Sequence, residues 1–96
     1  MNKQRREALD KVHTKFMNIV DLLEQANNEL EDIQSEEQDA LDNMPESLWN
    51  SERYERMEEI ANTLEEQTYE VANAIDAIEN VLGELWDIID EGGARC

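Results

Sequence analysis

Cysteine, proline and long hydrophobic runs are scarce in this chain of 96 residues. One cysteine, Cys96, excludes an intrachain disulfide and a zinc site built from cysteines. No run approaches the roughly 18 apolar residues of a membrane-spanning helix. The basic N-terminal segment also lacks the apolar stretch of a signal peptide. We therefore expect a single cytoplasmic domain over residues 1–96 that does not associate with a membrane.

Basic residues are also scarce, with 8 Lys and Arg against 25 Asp and Glu, a net charge of −17. Nucleic-acid binding requires clustered Lys and Arg that contact phosphates, and anionic membrane surfaces attract the same residues. The charge balance therefore argues against direct contact with nucleic acid or a membrane. A protein is the expected partner.

A hydrophobic repeat is the clearest pattern that is present. Apolar residues recur at alternating steps of three and four in both halves of the chain, which is typical of packed helices. Only two of 21 seam positions are polar, Glu37 and Thr68. The predicted seam comprises Leu9, Val12, Phe16, Ile19, Leu23, Ala26, Leu30, Ile33, Glu37 and Ala40, then Tyr54, Met57, Ala61, Leu64, Thr68, Val71, Ile75, Ile78, Leu82, Leu85 and Ile89.

The single proline divides the chain into two helices. Pro45 disfavours helical geometry at the residue before it, and Asn50 or Ser51 is a suitable N-cap for a second helix. Gly92 and Gly93 are expected to cap its end. The sequence thus predicts helices over 3–42 and 52–91, a turn over 43–51 and a tail over 92–96. A short connection makes neighbouring helices antiparallel, so we expect an all-α, coiled-coil-like helical hairpin.

The linker carries a resemblance to known proteins. The segments DNMPESL (42–48) and SERYERMEE (51–59) resemble those of small acidic helical-hairpin proteins of bacteriophages and prophages, across roughly residues 36–60. The resemblance implies the hairpin fold and a phage protein acting in the host cytoplasm. It implies no activity, because that group has no established biochemical role.

Additional apolar residues lie towards the end of the hairpin remote from the turn. Wide apolar faces indicate burial on more than one side, and a lone hairpin buries little surface. We expect a homodimer that forms a four-helix bundle, and a different protein covering the same surface is the alternative. The predicted interface residues are Met17, Val20, Leu22, Ala74, Val81, Trp86 and Ile88.

Acidic residues occupy long stretches without any base. Neither Lys nor Arg occurs between Lys15 and Arg53 or between Arg56 and Arg95, whereas 22 carboxylates do. Along helices of about 60 Å this is about one charge per 3 Å, comparable to B-DNA. The array predicts a DNA-mimic inhibitor of a host nucleic-acid-binding protein, for example a defence nuclease, that occupies its basic groove. The predicted binding acids are Glu29, Glu31, Asp32, Glu36, Asp39, Glu58, Glu59, Glu65 and Glu66.

Two other functions are compatible with the same residues. The acids are equally expected in an assembly or adaptor coiled coil, where they only keep the surface solvated. A magnesium-dependent all-α nucleotide pyrophosphohydrolase is a more remote alternative. It is supported only by the Glu-x-x-Asp match at Glu84–Asp87, since the required Glu-Glu-x-x-Glu element is not matched. We expect no enzyme, and we assign no catalytic, cofactor-binding or metal-binding residue.

Overall fold

Two long helices make up most of the structure, a computed structural model that describes residues 1–94. Helix α1 spans Lys3–Asp42 and helix α2 spans Glu52–Ala94, and one short 3-10 turn, Glu46–Leu48, lies between them. These residues contain no β-strand. The all-α fold and the helical hairpin are confirmed.

Helix α2 faces α1 with the predicted residues. All eleven predicted seam positions from Tyr54 to Ile89 are buried or half-buried, whereas the other described residues of α2 up to Glu91 are exposed. Ala61 is fully buried and Ile75 nearly so. The 3.5-residue repeat therefore places α2 correctly against its partner helix.

Helix α1 faces α2 with a different set of residues from the predicted one. Every second predicted position is half-buried, beginning with Leu9 and Phe16, but the intervening positions Val12, Ile19, Ala26, Ile33 and Ala40 are exposed. The residue after each of these is buried or half-buried instead: His13, Val20, Asn27, Gln34 and Leu41. The predicted seam of α1 is therefore wrong at five of its ten positions.

The cause of this error is a second apolar stripe on α1. The exposed set contains five apolar residues, whereas the buried set contains His13, Asn27 and Gln34. Each set alternates with the same half-buried positions, which begin with Leu9 and Phe16, and gives the same repeat length. The repeat length therefore cannot show which of the two stripes faces α2. Counting apolar residues selects the more hydrophobic stripe, which is the stripe that does not face α2.

A polar pair lies inside the seam. The Asn27 side chain is 7% exposed and its Nδ2 donates a hydrogen bond to the Thr68 carbonyl oxygen at 3.3 Å. Thr68 is equally buried, and its hydroxyl donates to the Glu65 carbonyl oxygen of its own helix. The Asn27 Oδ1 atom has no hydrogen-bond partner. A buried polar residue of this kind stabilises less than leucine but favours one alignment of the helices.

Side-chain caps start both helices. The Asn2 Oδ1 accepts a hydrogen bond from the Arg5 amide at 2.8 Å, and the Ser51 Oγ accepts one from the Tyr54 amide at 3.1 Å. Of the two predicted caps for α2, the structure uses Ser51. Its hydroxyl also donates to the Leu48 carbonyl oxygen, which ties the start of α2 to the 3-10 turn.

The end of α2 differs from the prediction. The helix continues past residue 91, through Gly92 and Gly93, to Ala94. None of the described glycines has the positive φ that a glycine C-cap requires. The predicted cap at these glycines is therefore wrong, and the remainder of the predicted tail, residues 95 and 96, lies outside the described residues.

The chain divides into two compact units, each containing a segment of both helices. Unit 1 comprises residues 1–24 and 73–96, and unit 2 comprises residues 25–72. In unit 1 the rings of His13 and Trp86 lie 5.6 Å apart. In unit 2 the Asn27–Thr68 hydrogen bond joins the helices.

Candidate functional site

The buried positions define a heptad repeat, and the heptad defines two sides of each unit. Positions a and d form the seam, with Asn27 and Thr68 both at position a. Positions g and c lie on one side of the seam, positions e and b lie on the other, and f points outward. Because the helices are antiparallel, the g positions of α1 and α2 flank the same edge of the seam. We call these surfaces the g/c side and the e/b side.

Charge is divided unequally between the two sides of unit 1. The described part of the g/c side carries two bases, Arg5 and Lys15, and two acids, Glu84 and Glu91. The e/b side carries one base, Lys3, against seven acids. Those acids are Glu7, Asp10, Asp21, Glu24, Asp76, Glu79 and Asp90. One side of unit 1 is thus electrically balanced and the other is strongly acidic.

Unit 2 has a broader acidic surface. Its e, b and f positions carry ten carboxylates and no base, and every one of these side chains is exposed. We call these positions the acidic surface of unit 2. Both bases of unit 2, Arg53 and Arg56, lie on its g/c side. The ten acids are Glu31, Asp32, Asp39, Asp42, Glu52, Glu55, Glu58, Glu59, Glu65 and Glu66.

The structure brings together seven of the nine predicted binding acids on this surface. The other two, Glu29 and Glu36, occupy c positions and so lie on the g/c side, away from the rest. Three acids of the surface were not predicted: Asp42, Glu52 and Glu55. The correct heptad register of α1, together with the antiparallel pairing, is the signal that would have assigned each of these acids to the acidic surface of unit 2 or to the g/c side.

The predicted interface residues do not form one surface. Val20 is 6% exposed and belongs to the seam, so its assignment to an interface is wrong. Met17 and Trp86 lie on the e/b side of unit 1, and Trp86 also contacts His13. The others share the g/c side of unit 1: Leu22, Ala74, Val81 and Ile88.

The turn presents a partly exposed tryptophan. Trp49 is 47% exposed, and its Nε1 donates a hydrogen bond to the Met44 carbonyl oxygen at 3.0 Å. Its ring lies 6.4 Å from that of Tyr54. The indole therefore closes the turn on one face and leaves the other available for contact.

A shallow depression on α2 lies within the acidic surface of unit 2. Four carboxylates line it, those of Glu55, Glu58, Glu59 and Glu66, with Asn62 and Thr63. Within the described part of the chain, no three acidic, histidine or cysteine residues are grouped so that they could hold a metal ion. The arrangement suits many separate contacts with a cationic surface better than the enclosure of one ion.

Comparison with protein-family models, curated proteins and solved structures finds no match for the chain. A separate search of the described helices finds none that is long and apolar enough to cross a membrane.

Proposed function

We propose that this protein acts without catalysis, by placing the acidic surface of unit 2 in a basic groove of another protein. The observation that carries the proposal is the set of ten exposed carboxylates that no base interrupts. Exposed acids on natural helices are commonly balanced by bases three or four residues away. Only Glu52 and Glu59 have such a base, Arg56. Its absence from the other eight acids favours a partner that supplies the positive charge.

The partner that fits this surface is a protein that ordinarily binds phosphates. The resemblance of the linker to phage proteins favours a partner in a bacterial host, for example a defence nuclease. Occupation of its groove by carboxylates would exclude DNA or RNA, and so inhibit it. Because the contacts are ionic, they are screened over about 10 Å at 0.1 M salt.

A matched pair of variants tests this proposal. Glu58→Lys/Glu65→Lys reverses two acids seven residues apart on the e/b side of unit 2. Glu29→Lys/Glu36→Lys makes the same change in net charge, at the same spacing, on the g/c side. Tagged proteins are incubated with nuclease-treated bacterial lysate, washed at low and high salt, and the retained proteins are identified by mass spectrometry.

We expect the unmodified protein and Glu29→Lys/Glu36→Lys to retain a nucleic-acid-binding protein that high salt or duplex DNA releases. Glu58→Lys/Glu65→Lys should lose it. Equal capture by both variants would contradict the proposal, because net charge alone would then account for binding. Circular dichroism of each variant verifies that the helices persist.

A second candidate function is that of an assembly or adaptor coiled coil. The exposed apolar residues of the g/c side favour it, because isolated hydrophobic residues are ordinary on a surface but a stripe of them indicates an interaction. Capture that resists high salt, and that does not change when the acids are reversed, would support this function over the first.

We also propose that the protein is a homodimer in which two hairpins form a four-helix bundle. Only four hydrophobic residues of the described chain are buried: Val20, Leu41, Ala61 and Ile75. A core of that size is small for a stable chain of this length. Sedimentation equilibrium, which gives the mass in solution, tests the dimer independently of any binding partner.

A further inference from the structure

The g/c side of unit 1 is an uncovered apolar surface. On α1 it presents Val12, Ile19 and Leu22, which are 41%, 43% and 65% exposed, and on α2 it presents Val81 and Ile88, 45% and 43% exposed. Within residues 1–24, none of the g and c positions of α1 is occupied by an acid. This surface therefore has the composition of a helix-packing face rather than of a solvated one.

The accessible area of the chain also indicates a missing partner. It is 7358 Å², whereas a compact monomer of this mass exposes about 5,700 Å². The excess of about 1,700 Å² belongs to one chain, and it lies within the roughly 1,000–2,500 Å² that each partner of an obligate homodimer buries. A second chain of similar size would remove an area of this order.

We infer that a second copy of the chain covers the g/c side of unit 1, with α1 of each copy packed beside α2 of the other. This inference rests on the proposed homodimer and specifies its contact surface. The charges on the described part of the g/c side of unit 1 favour a copy as occupant, since its two bases and two acids balance. In this arrangement Lys15 meets Glu84 of the partner subunit, twice by symmetry.

The e/b side is unsuited to the same contact. Two copies meeting through it would bring seven acids and one base of unit 1 against an identical set. Like charges at short range are repulsive, and burial of an unpaired carboxylate is costly. Contact through the g/c side instead leaves both acidic sides in water. Met17 and Trp86, on the e/b side, are then not interface residues.

The charges also select between the two symmetric ways of joining these surfaces. Pairing α1 with α1 would place Lys15 near Lys15 of the partner subunit, and the acids of α2 near one another. Pairing α1 with α2 instead brings the bases of α1 in one copy beside the acids of α2 in the other. We therefore expect α1 to lie beside α2 of the other copy.

Sedimentation equilibrium of two matched variants tests the contact surface. Ile19→Glu and Met17→Glu each add one acid at a similarly exposed apolar residue of α1 in unit 1, on opposite sides of the seam. We expect Ile19→Glu to raise the dimer Kd by roughly 100-fold, because it places an unpaired charge in the contact, and Met17→Glu to change it less than about threefold. Val81→Glu repeats the test on α2.

Mixing two charge variants tests the pairing of the helices. Lys15→Glu and Glu84→Lys should each raise the dimer Kd by about tenfold, since each replaces two attractive pairs by repulsive ones. An equimolar mixture should regain the Kd of the unmodified protein, because both ion pairs are restored only between unlike chains. Helicity by circular dichroism should be equal in all samples.

Three results would overturn the inference in different ways. A dimer that Met17→Glu dissociates and Ile19→Glu does not would keep the homodimer but refute the surface. A dimer that Lys15→Glu leaves unchanged or tightens would refute the pairing of α1 with α2. A chain that stays monomeric at millimolar concentration would refute the homodimer itself, while capture of a partner by the acidic surface of unit 2 would be unaffected.

Discussion

Units 1 and 2 have the same kind of seam but expose different surfaces. Unit 1 presents a balanced, apolar g/c side opposite an acidic e/b side, whereas unit 2 carries ten acids and no base over its e, b and f positions. The same heptad repeat therefore supports two kinds of surface. The seam fixes which residues are exposed, and the residues around it decide what each unit can bind.

The largest expected effects concern the seam, which should be equally important in the two units. Ile75→Ala in unit 1 and Leu41→Ala in unit 2 each truncate a buried residue, and we expect each to lower the free energy of unfolding by about 2–3 kcal/mol. Ile88→Ala and Ile33→Ala, at exposed g positions of the same units, should cost less than about 1 kcal/mol. Urea unfolding at low protein concentration measures all four.

A large cost at the g positions, with a small one at Ile75 and Leu41, would reverse this expectation. The exposed apolar stripe of α1 would then be the one that faces α2. The assignment of α1 residues to the g/c side and the e/b side would have to change accordingly. A cost confined to one unit would show that the other contributes little to folding.

The polar pair of unit 2 should affect specificity more than stability. Replacing Asn27 by leucine removes a buried group whose Oδ1 has no partner, so we expect a gain of about 1.5 kcal/mol in the free energy of unfolding. Alternative alignments become available at the same time, and native mass spectrometry should detect mixed oligomers. Thr68→Val is the control, because the Thr68 hydroxyl bonds within its own helix.

Loss of stability in Asn27→Leu would instead mean that the hydrogen bond to the Thr68 carbonyl oxygen outweighs the burial of the amide. A single oligomeric state in that variant would show that other residues of the seam fix the alignment of the helices.

The smallest expected effects concern the caps, where the two units should differ. Ser51→Ala removes the cap that joins α2 to the turn of unit 2, and we expect a cost of about 1 kcal/mol. Asn2→Ala removes the cap of α1 in unit 1 and should cost about half as much, because the Asn2 side chain makes one capping bond whereas the Ser51 hydroxyl makes two. Thermal unfolding followed by circular dichroism distinguishes the two. Equal costs would indicate that the first turn of α1 is as firmly held as that of α2.

Much of the fold could be predicted from the sequence, because it depends on local chemistry. Pro45 and Ser51 mark the connection, and a regular repeat with little competition places α2. On α1 the same method selects Ile19 and Ile33, although Val20 and Gln34 face α2. Hydrophobicity identifies two apolar stripes on α1 but cannot tell which of them faces the neighbouring helix and which stays exposed.

The candidate site was predicted less completely for the same reason. Acidic character is evident from composition, but the grouping of acids requires the register. Glu29 and Glu36 lie on a different side from Glu58 and Glu65 only because their helix presents a particular face to α2. An error of one residue in α1 therefore moves acids between surfaces, and it also assigned Val20 to an interface.

The alkylation rate of single cysteines along α1 tests this register most directly, in a Cys96→Ser background. Cysteine is placed at four adjacent pairs of positions: 19 and 20, 26 and 27, 33 and 34, and 40 and 41. At protein concentrations where the chain is monomeric, the structure predicts that the first member of each pair reacts at least about tenfold faster with a maleimide, since the second is buried or half-buried in the seam. Faster reaction at the second member of each pair would contradict the register, and with it the assignment of both surfaces.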